Sequence, residues 1–534
     1  MKKIKLIILI AAYIVISCKK DEPAGINIPA NTANTTVKKY DGPFLYGMNM
    51  AYKNANWKDE DIADILVGNS QKNIAGMGAN SLRPALYENF VEKYGYNIRL
   101  DAFSHYKTIG TTNNTIFIGD RPSDAHRERK QYADGLPSES YENLYEPIWD
   151  NGENGTPVND KNHFALYVYK VAQMYGDNVK FWEIKNEPDF TYTAFGNRKA
   201  GEEGNWWDND PKPEHLKNLA APVQSYIRML RVSYEVIKQV HPNAYICVGG
   251  IGYTSFLDAI LRNTDNPDGG KVTNEYPLTG GAWFDCLSYH LYPMYYLRTW
   301  TGNDTPGNIN GFTYFRNSDA AASMVVEKKE ELNNLLKKYG YGMKYPEKEV
   351  IITETNIPNR QLGDHIGSQE AQRNFAVKTA VLSQQNNIAG VYIYCPWDNK
   401  EPNDASGESY DYMGIYKPIP ESPGQTLRPN EEGTAWKTMS TLLQGRKYHA
   451  DETNKLNLPS TIGGGAFYSS KSKDYVYVLW AKTTEDLSEN ASINYSFPTT
   501  IKNIVYKEWN NKELKINGNT INLKGSPVFI TQVK

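Results

Sequence analysis

The sequence predicts an α/β protein, a (β/α)8 TIM barrel followed by a C-terminal all-β sandwich. Between residues 41 and 445, short apolar runs alternate with helix-like stretches, as parallel β/α units require. The apolar runs number eight, the strand count of that barrel. From residue 446 to 534 the helical periodicity stops, and short strand-like runs between Asn- and Gly-rich turns replace it.

The predicted barrel strands are Phe44–Asn49, Asn80–Pro84, Thr115–Gly119, Val179–Glu187, Tyr245–Gly250, Phe284–Tyr292, Glu349–Glu354 and Gly390–Trp397. A helix is predicted where Val223, Tyr226, Ile227, Leu230, Tyr234 and Ile237 fall on one face, with Pro242 just past its end. Two more, Ser318–Tyr339 and Ser368–Gln385, each open on a serine that can cap them, with Gly340 and Gly390 as stop signals. The segments 188–220, 292–318 and 397–430 are long, and in such barrels the loops leaving the strands build the functional face. In the C-terminal region Tyr475–Trp480, Ile493–Phe497, Ile504–Tyr506, Thr520–Leu523 and Pro527–Ile530 read as strands. That region holds no catalytic constellation and is read as a structural companion of the barrel.

The first 40 residues read as an address and a tether. Lys2, Lys3 and Lys5 precede an apolar run, Leu6–Ile16. The run is too short to span a bilayer, which takes about 20 residues, but it suits a secretory signal. It ends in Val15-Ile16-Ser17-Cys18, which resembles the lipobox of bacterial lipoproteins. That resemblance implies loss of residues 1–17, a lipid on Cys18 as the membrane anchor, and residues 18–40 as a tether. Lys19-Lys20-Asp21-Glu22 resembles the export tag of surface lipoproteins of the Bacteroidetes, which implies an outer-membrane protein facing the cell surface, with a periplasmic-facing position as the alternative.

A formal charge of −3 gives no basic footprint for nucleic acid and argues against a polyanionic substrate. Cys247, Cys286 and Cys395 are odd in number and scattered, so they make neither a disulfide framework nor a zinc site and are predicted to be buried, inert thiols. No metal motif is present among the eight histidines, and no metal or organic cofactor is expected. The 39 tyrosines and 11 tryptophans suit stacking on sugar faces as well as cores. Trp206, Trp207, Tyr295, Tyr296 and Trp300, all in long loops, are either sugar platforms or loop packing.

Two predicted strands end in a carboxylate. The fourth closes on Lys185-Asn186-Glu187-Pro188, and the seventh on Thr353-Glu354-Thr355. Two carboxyl groups about 5–5.5 Å apart, one a general acid/base and the other a nucleophile, are what hydrolysis of a glycosidic bond with retention needs. Asn-Glu-Pro on strand four with Glu on strand seven resembles the clan A glycoside hydrolases, which include families 5, 30, 39 and 51. The resemblance implies that Glu187 is the acid/base, that Glu354 is the nucleophile and that Asn186 bonds the sugar 2-hydroxyl. It extends to His290-Leu291-Tyr292 at the end of strand six, where Tyr292 would orient the nucleophile and His290 line the cleavage subsite. Arg83, ending strand two, would contact the nucleophile carboxylate, and Trp397, ending strand eight, would floor the −1 sugar. Taken singly, each has a plainer reading: a helix-start turn for Asn-Glu-Pro, a paired strand end for Glu354, core residues for His290, Arg83 and Trp397. Lys185 and Asp189, which flank the motif, identify no family.

The resulting expectation is a carbohydrate-cleaving enzyme that hydrolyses β-glycosidic bonds, with endo action on a neutral β-glycan such as a β-glucan. The alternatives are an exo-acting β-glycosidase, a transglycosylase using the same residues, and a non-catalytic surface glycan-binding lipoprotein.

Overall fold

The computed structural model of the chain describes residues 37–532, apart from 151, 301–310, 315–316, 363–365, 487 and 517. The predicted leader, Cys18 and most of the predicted tether therefore lie outside the described residues, as does the side chain of Trp300.

Eight parallel strands form one sheet: β1 (Leu45–Asn49), β2 (Ser81–Arg83), β3 (Asn114–Ile118), β4 (Val179–Ile184), β5 (Tyr245–Val248), β6 (Cys286–His290), β7 (Glu349–Thr355) and β8 (Gly390–Ile393). Neighbours run β2-β1-β8-β7-β6-β5-β4-β3. The two ends meet where Leu86 N–H donates to the Phe117 carbonyl at 3.2 Å, and Phe117 N–H to that of Pro84 at 3.4 Å, which closes the barrel. The predicted eight strands are thus all present, with ends that differ from the predicted ones by up to four residues.

Side chains of a strand alternate between its two faces, and that alternation grades the barrel interior. At the floor Leu45, Phe181, Tyr245, Cys286 and Ile351 form an apolar cluster. Tyr40 closes it from below, its ring 5.3 Å from that of Phe181 and its N–H donating to Glu349 at 3.0 Å. Two residues further along three of these strands the interior holds Glu183, Ser288 and Thr353, all fully buried. Cys247, Cys286 and Cys395 are free and buried.

The helix predicted around Val223 runs Val223–Val240, and its partners run Ser318–Lys338 and Gln369–Gln385. Ser368 caps the last of these through its side chain, but the cap of the second is Asn317, which accepts from Ala320 N–H, and not Ser318. Gly390 is no stop signal: it opens β8, and the chain leaves the preceding helix at Asn386 and Asn387, the latter with φ +54°. Helix Glu431–Leu443 packs against Gln369–Gln385 on the outside of the barrel.

The C-terminal region is antiparallel. A six-stranded sheet has the order 447–448, 462–469, 474–481, 528–532, 504–507, 513–514, and a ribbon pairs 492–496 with 520–524. Tyr477, Leu479 and Ile530 of the sheet share a core with Tyr495, Phe497 and Leu523 of the ribbon segment. The sheet is tied to two barrel helices by Trp480 Nε1–H donating to Asp319 at 2.7 Å, Ser318 N–H donating to Glu489 at 2.7 Å, and Arg373 donating to Ser526 Oγ at 2.7 Å.

Candidate active site

At the C-terminal ends of the strands the polar interior opens into a cluster built around Arg83, which is 2% exposed. Its guanidinium donates from Nε to Glu183 at 2.5 Å, from one terminal nitrogen to both Asn49 (2.8 Å) and Glu354 (2.7 Å), and from the other to Asn186 (2.7 Å). The fork geometry of arginine suits this role, because a point charge could not serve four acceptors in fixed directions. One side chain therefore links the ends of β1, β2, β4 and β7.

Glu354 owes its position to an irregularity in β7. Tyr289 pairs with Ile352 and His290 with Glu354, so Thr353 is an extra residue on that strand; the pairing with β8 slips at the same place. In a regular strand Thr353 and Glu354 would face opposite ways, but a bulge lets both turn inward. Thr353 Oγ1 donates to Glu183 at 2.6 Å, while Glu354 accepts from Arg83 and, at 2.6 Å, from the Tyr292 hydroxyl. Burial raises the Glu354 pKa, but His290, Arg83 and the bonds from Tyr292 and Arg83 outweigh it and hold the carboxyl below its ordinary value. Burial and the Glu354 charge keep the Tyr292 phenol protonated, hence a donor.

Glu187 is placed by a different device. After β4 the chain takes left-handed turns at Lys185 (φ +64°) and Glu187 (φ +47°), uncommon for residues with a side chain and concentrated at functional sites. They are pinned from both sides. Lys185 is fully buried and pairs with Asp120 at 3.3 Å; Asn186 N–H donates to Asp120 at 2.8 Å; Glu187 N–H donates to the Gly249 carbonyl at 2.6 Å. A Cβ on Gly249 would lie 2.4 Å from the Lys185 carbonyl, and one on Gly250 2.2 Å from His290 Nε2. Only glycines let the end of β5 sit against this turn.

Glu187 Oε1 meets His290 Nδ1 at 2.8 Å, and His290 Nε2 lies 3.0 Å from Thr353 Oγ1. Burial lowers the His290 pKa, but the charges of Glu354 and Glu187 outweigh it and hold the imidazole above its ordinary value. Oε2 of Glu187 has no protein partner among the described residues and is free to meet a substrate oxygen. The ligand atoms of Glu187, His290 and Glu354 all lie within 4.8 Å of one another. That spacing could in principle hold a cation, but the Glu354 oxygens already accept from Arg83 and Tyr292, so the donor set is matched by a guanidinium and a phenol.

No family model and no curated protein matches the sequence. Among solved structures the fold is similar to a family 39 glycoside hydrolase from the gut symbiont Bacteroides cellulosilyticus WH2, at 16% identity and a TM-score of 0.57, over 92% of this chain and 81% of that one. Looser likenesses are to the GH30 xylanase C of Talaromyces cellulolyticus (12% identity, TM-score 0.49, 93% and 98% covered) and to an α-L-arabinofuranosidase from Thermotoga maritima (13%, 0.45, 93% and 98%). At these identities the first likeness shows a shared architecture, and the two below a TM-score of 0.5 carry no argument.

Six of the seven residues predicted for the site converge: Arg83, Asn186, Glu187, His290, Tyr292 and Glu354. No hydrogen bond or ring contact joins Trp397 to them among the described residues. β8 ends at Ile393, and Trp397 lies four residues further on, 5% exposed in the core and bridged to Tyr416. The aromatic residue at the strand end is Tyr394, whose ring packs edge-on against those of Tyr292 and Tyr410 and whose hydroxyl feels the charges of both glutamates. Of the loop aromatics, Trp206 is fully buried against Tyr253 and Phe256 and so packs its loop, whereas Tyr295 and Tyr296 are exposed at 38% and 43%. Glu183, Asn49, Thr353 and Asp120 were missed by the sequence reading; only strand register brings them to the site.

Proposed function

We propose that the chain is a retaining glycosidase that hydrolyses β-glycosidic bonds in a polysaccharide or oligosaccharide, acting from within the chain. The observation that carries this is the pair Glu187 and Glu354, with oxygens within 4.8 Å of each other and with opposite surroundings. Glu354, ionised and held by Arg83 and Tyr292, attacks the anomeric carbon while Glu187 gives its proton to the departing oxygen, which keeps the bonding pair. The ester on Glu354 removes that negative charge. Glu187, now a carboxylate, takes a proton from water as the water oxygen bonds to the anomeric carbon and Glu354 leaves. Oxygens within 4.8 Å of each other fit the close pair of a retaining enzyme better than the pair about 6.5–9.5 Å apart that an inverting enzyme uses. Asn186, fixed by Arg83 and Asp120, offers its side-chain amide to the sugar 2-hydroxyl.

A surface lipoprotein anchored at Cys18 fits endo action on a polymer. A panel of β-linked polysaccharides, read by product length and by the anomer formed first, tests both parts. Short products from the first minutes mark endo cleavage, single sugars released from chain ends mark exo, and an α-anomer formed first rules out retention. Binding without any turnover would leave a glycan-binding protein. Cys18→Ser should move the protein from the membrane fraction to the soluble one.

A further inference from the structure

Beside Asn186, between the loops that follow β2, β3 and β4, lies a cavity of about 270 Å³ whose walls include Tyr87, Asp120, Arg121, Glu139, Asn186 and Lys217. Its charges do not balance. Asp120 is committed to Lys185 at 3.3 Å and to the Asn186 N–H at 2.8 Å. Glu139 is committed to Arg127 at 2.5 Å. Arg121 and Lys217 have no carboxylate partner among the described residues, so two positive charges face one concavity in a chain with more acidic than basic residues.

Arg121 is also held in place. Its backbone is left-handed, φ +53°, where glycine or asparagine is usual. Its carbonyl accepts from Asn89 N–H at 3.1 Å, and its guanidinium lies over the Tyr87 ring at 4.3 Å. Arg121 is exposed at the rim of the cavity and Lys217 is half-buried. Asn186 lines the cavity and accepts from Arg83, which also holds Glu354, so the cavity adjoins the proposed nucleophile.

We propose that this cavity is a subsite for an anionic group on the glycone, a sulfate ester or a uronate branch, carried at or next to the 2-hydroxyl that faces Asn186. The proposal rests on the glycosidase reading for the word glycone, but the anion site stands on its own residues. A guanidinium gripping two oxygens of a planar or tetrahedral anion, with an ammonium as a second point charge, is the usual chemistry of such recognition. A neutral sugar would cover both cations without giving either a counter-charge. The negative charge of the whole chain argued for a neutral glycan; the local lining argues for an acidic one.

Calorimetric titration of the full chain with sodium glucuronate, sodium sulfate and glucose at low ionic strength tests this directly. Binding needs no turnover, so a failed substrate panel would count against the glycosidase reading and leave the anion site intact. Glucuronate should bind about tenfold or more tightly than glucose and should weaken as salt is added. Arg121→Gln and Lys217→Gln should each weaken it, and Arg121→Lys, which keeps the charge but loses the fork, should lie between Arg121→Gln and the parent. Because Arg121 also packs on Tyr87, Lys217→Gln serves as the variant free of packing loss. Sulfate binding with the same variant sensitivity adds sulfate esters to the substrate class, and glucuronate binding alone restricts it to uronates. No detectable binding of either anion, equal affinity for glucuronate and glucose, or affinity unchanged in the double variant would overturn the proposal.

Discussion

The ends of β4 and β7 present the same functional group to the same space and treat it in opposite ways. Glu354 accepts from a buried guanidinium and a phenol and its side chain is 13% exposed; the Glu187 side chain has one partner among the described residues, a histidine that can share a proton with it, and is 27% exposed. Position is secured differently too, by a bulge on β7 and by left-handed backbone after β4. The difference teaches that the two carboxyls are not interchangeable. In the proposed mechanism one stays charged and the other passes a proton, and each can be attacked separately.

The largest expected effect is that of Glu354→Ala, which should reduce turnover of every substrate to background, since no ester can form. Residual turnover of an activated aryl glycoside would mean that the β7 carboxylate is not the nucleophile. Glu187→Ala should cost about 10²–10⁴-fold on a natural glycan and much less on an aryl glycoside with a good leaving group. The ester should then accumulate, and azide should release it as a β-glycosyl azide. Equal losses on both substrates without azide rescue would erase the distinction between the two ends.

A smaller change should come from Tyr292→Phe. Removing this donor from Glu354 takes away one of the contacts that lower its pKa, so the acid limb of kcat/KM should move to higher pH, and kcat/KM should fall roughly tenfold. An unmoved acid limb would assign that limb to another group.

A third carboxyl sharpens the comparison because it has no cation partner among the described residues. Glu432 is fully buried with Asn356 as donor, and burial, with Asp398 nearby, holds its pKa well above the ordinary value. A raised folded-state pKa stabilises the fold below the unfolded value and costs stability as pH rises above it. Glu432→Gln should therefore raise Tm by a few degrees at pH 8, with the gain fading by about pH 4, below the unfolded pKa of a glutamate. A gain that persists there would place its origin in packing and not in ionisation.

Much of this was legible in the sequence. Strands buried on both faces read as apolar runs, and a strand that ends in a charged residue after such a run is conspicuous, which is why Glu187 and Glu354 could be found. Arg83 and its contact with Glu354 could be found too, but not the rest of its acceptors, because register decides whether Glu183 or Asn49 comes within reach. The apolar run continues past the point where β8 stops, so hydropathy alone could not show that Tyr394, and not Trp397, follows directly on the strand. The strand Ile462–Ser469 was missed because its glycines erase the alternation of large and polar residues that marks a strand. Arg121 and Lys217 lie far apart in a sequence of mixed charge, and only the fold makes them neighbours.

The extra residue on β7 has a consequence for how this chain can change. Without Thr353 the strand would be regular, and the Glu354 carboxyl would fall where the threonine hydroxyl now sits, beside Glu183 and turned away from the mouth. A loss of one codon would set two acids side by side in the barrel and leave the mouth empty. Substitutions on β7 can be graded and repaired one at a time, but its length cannot drift.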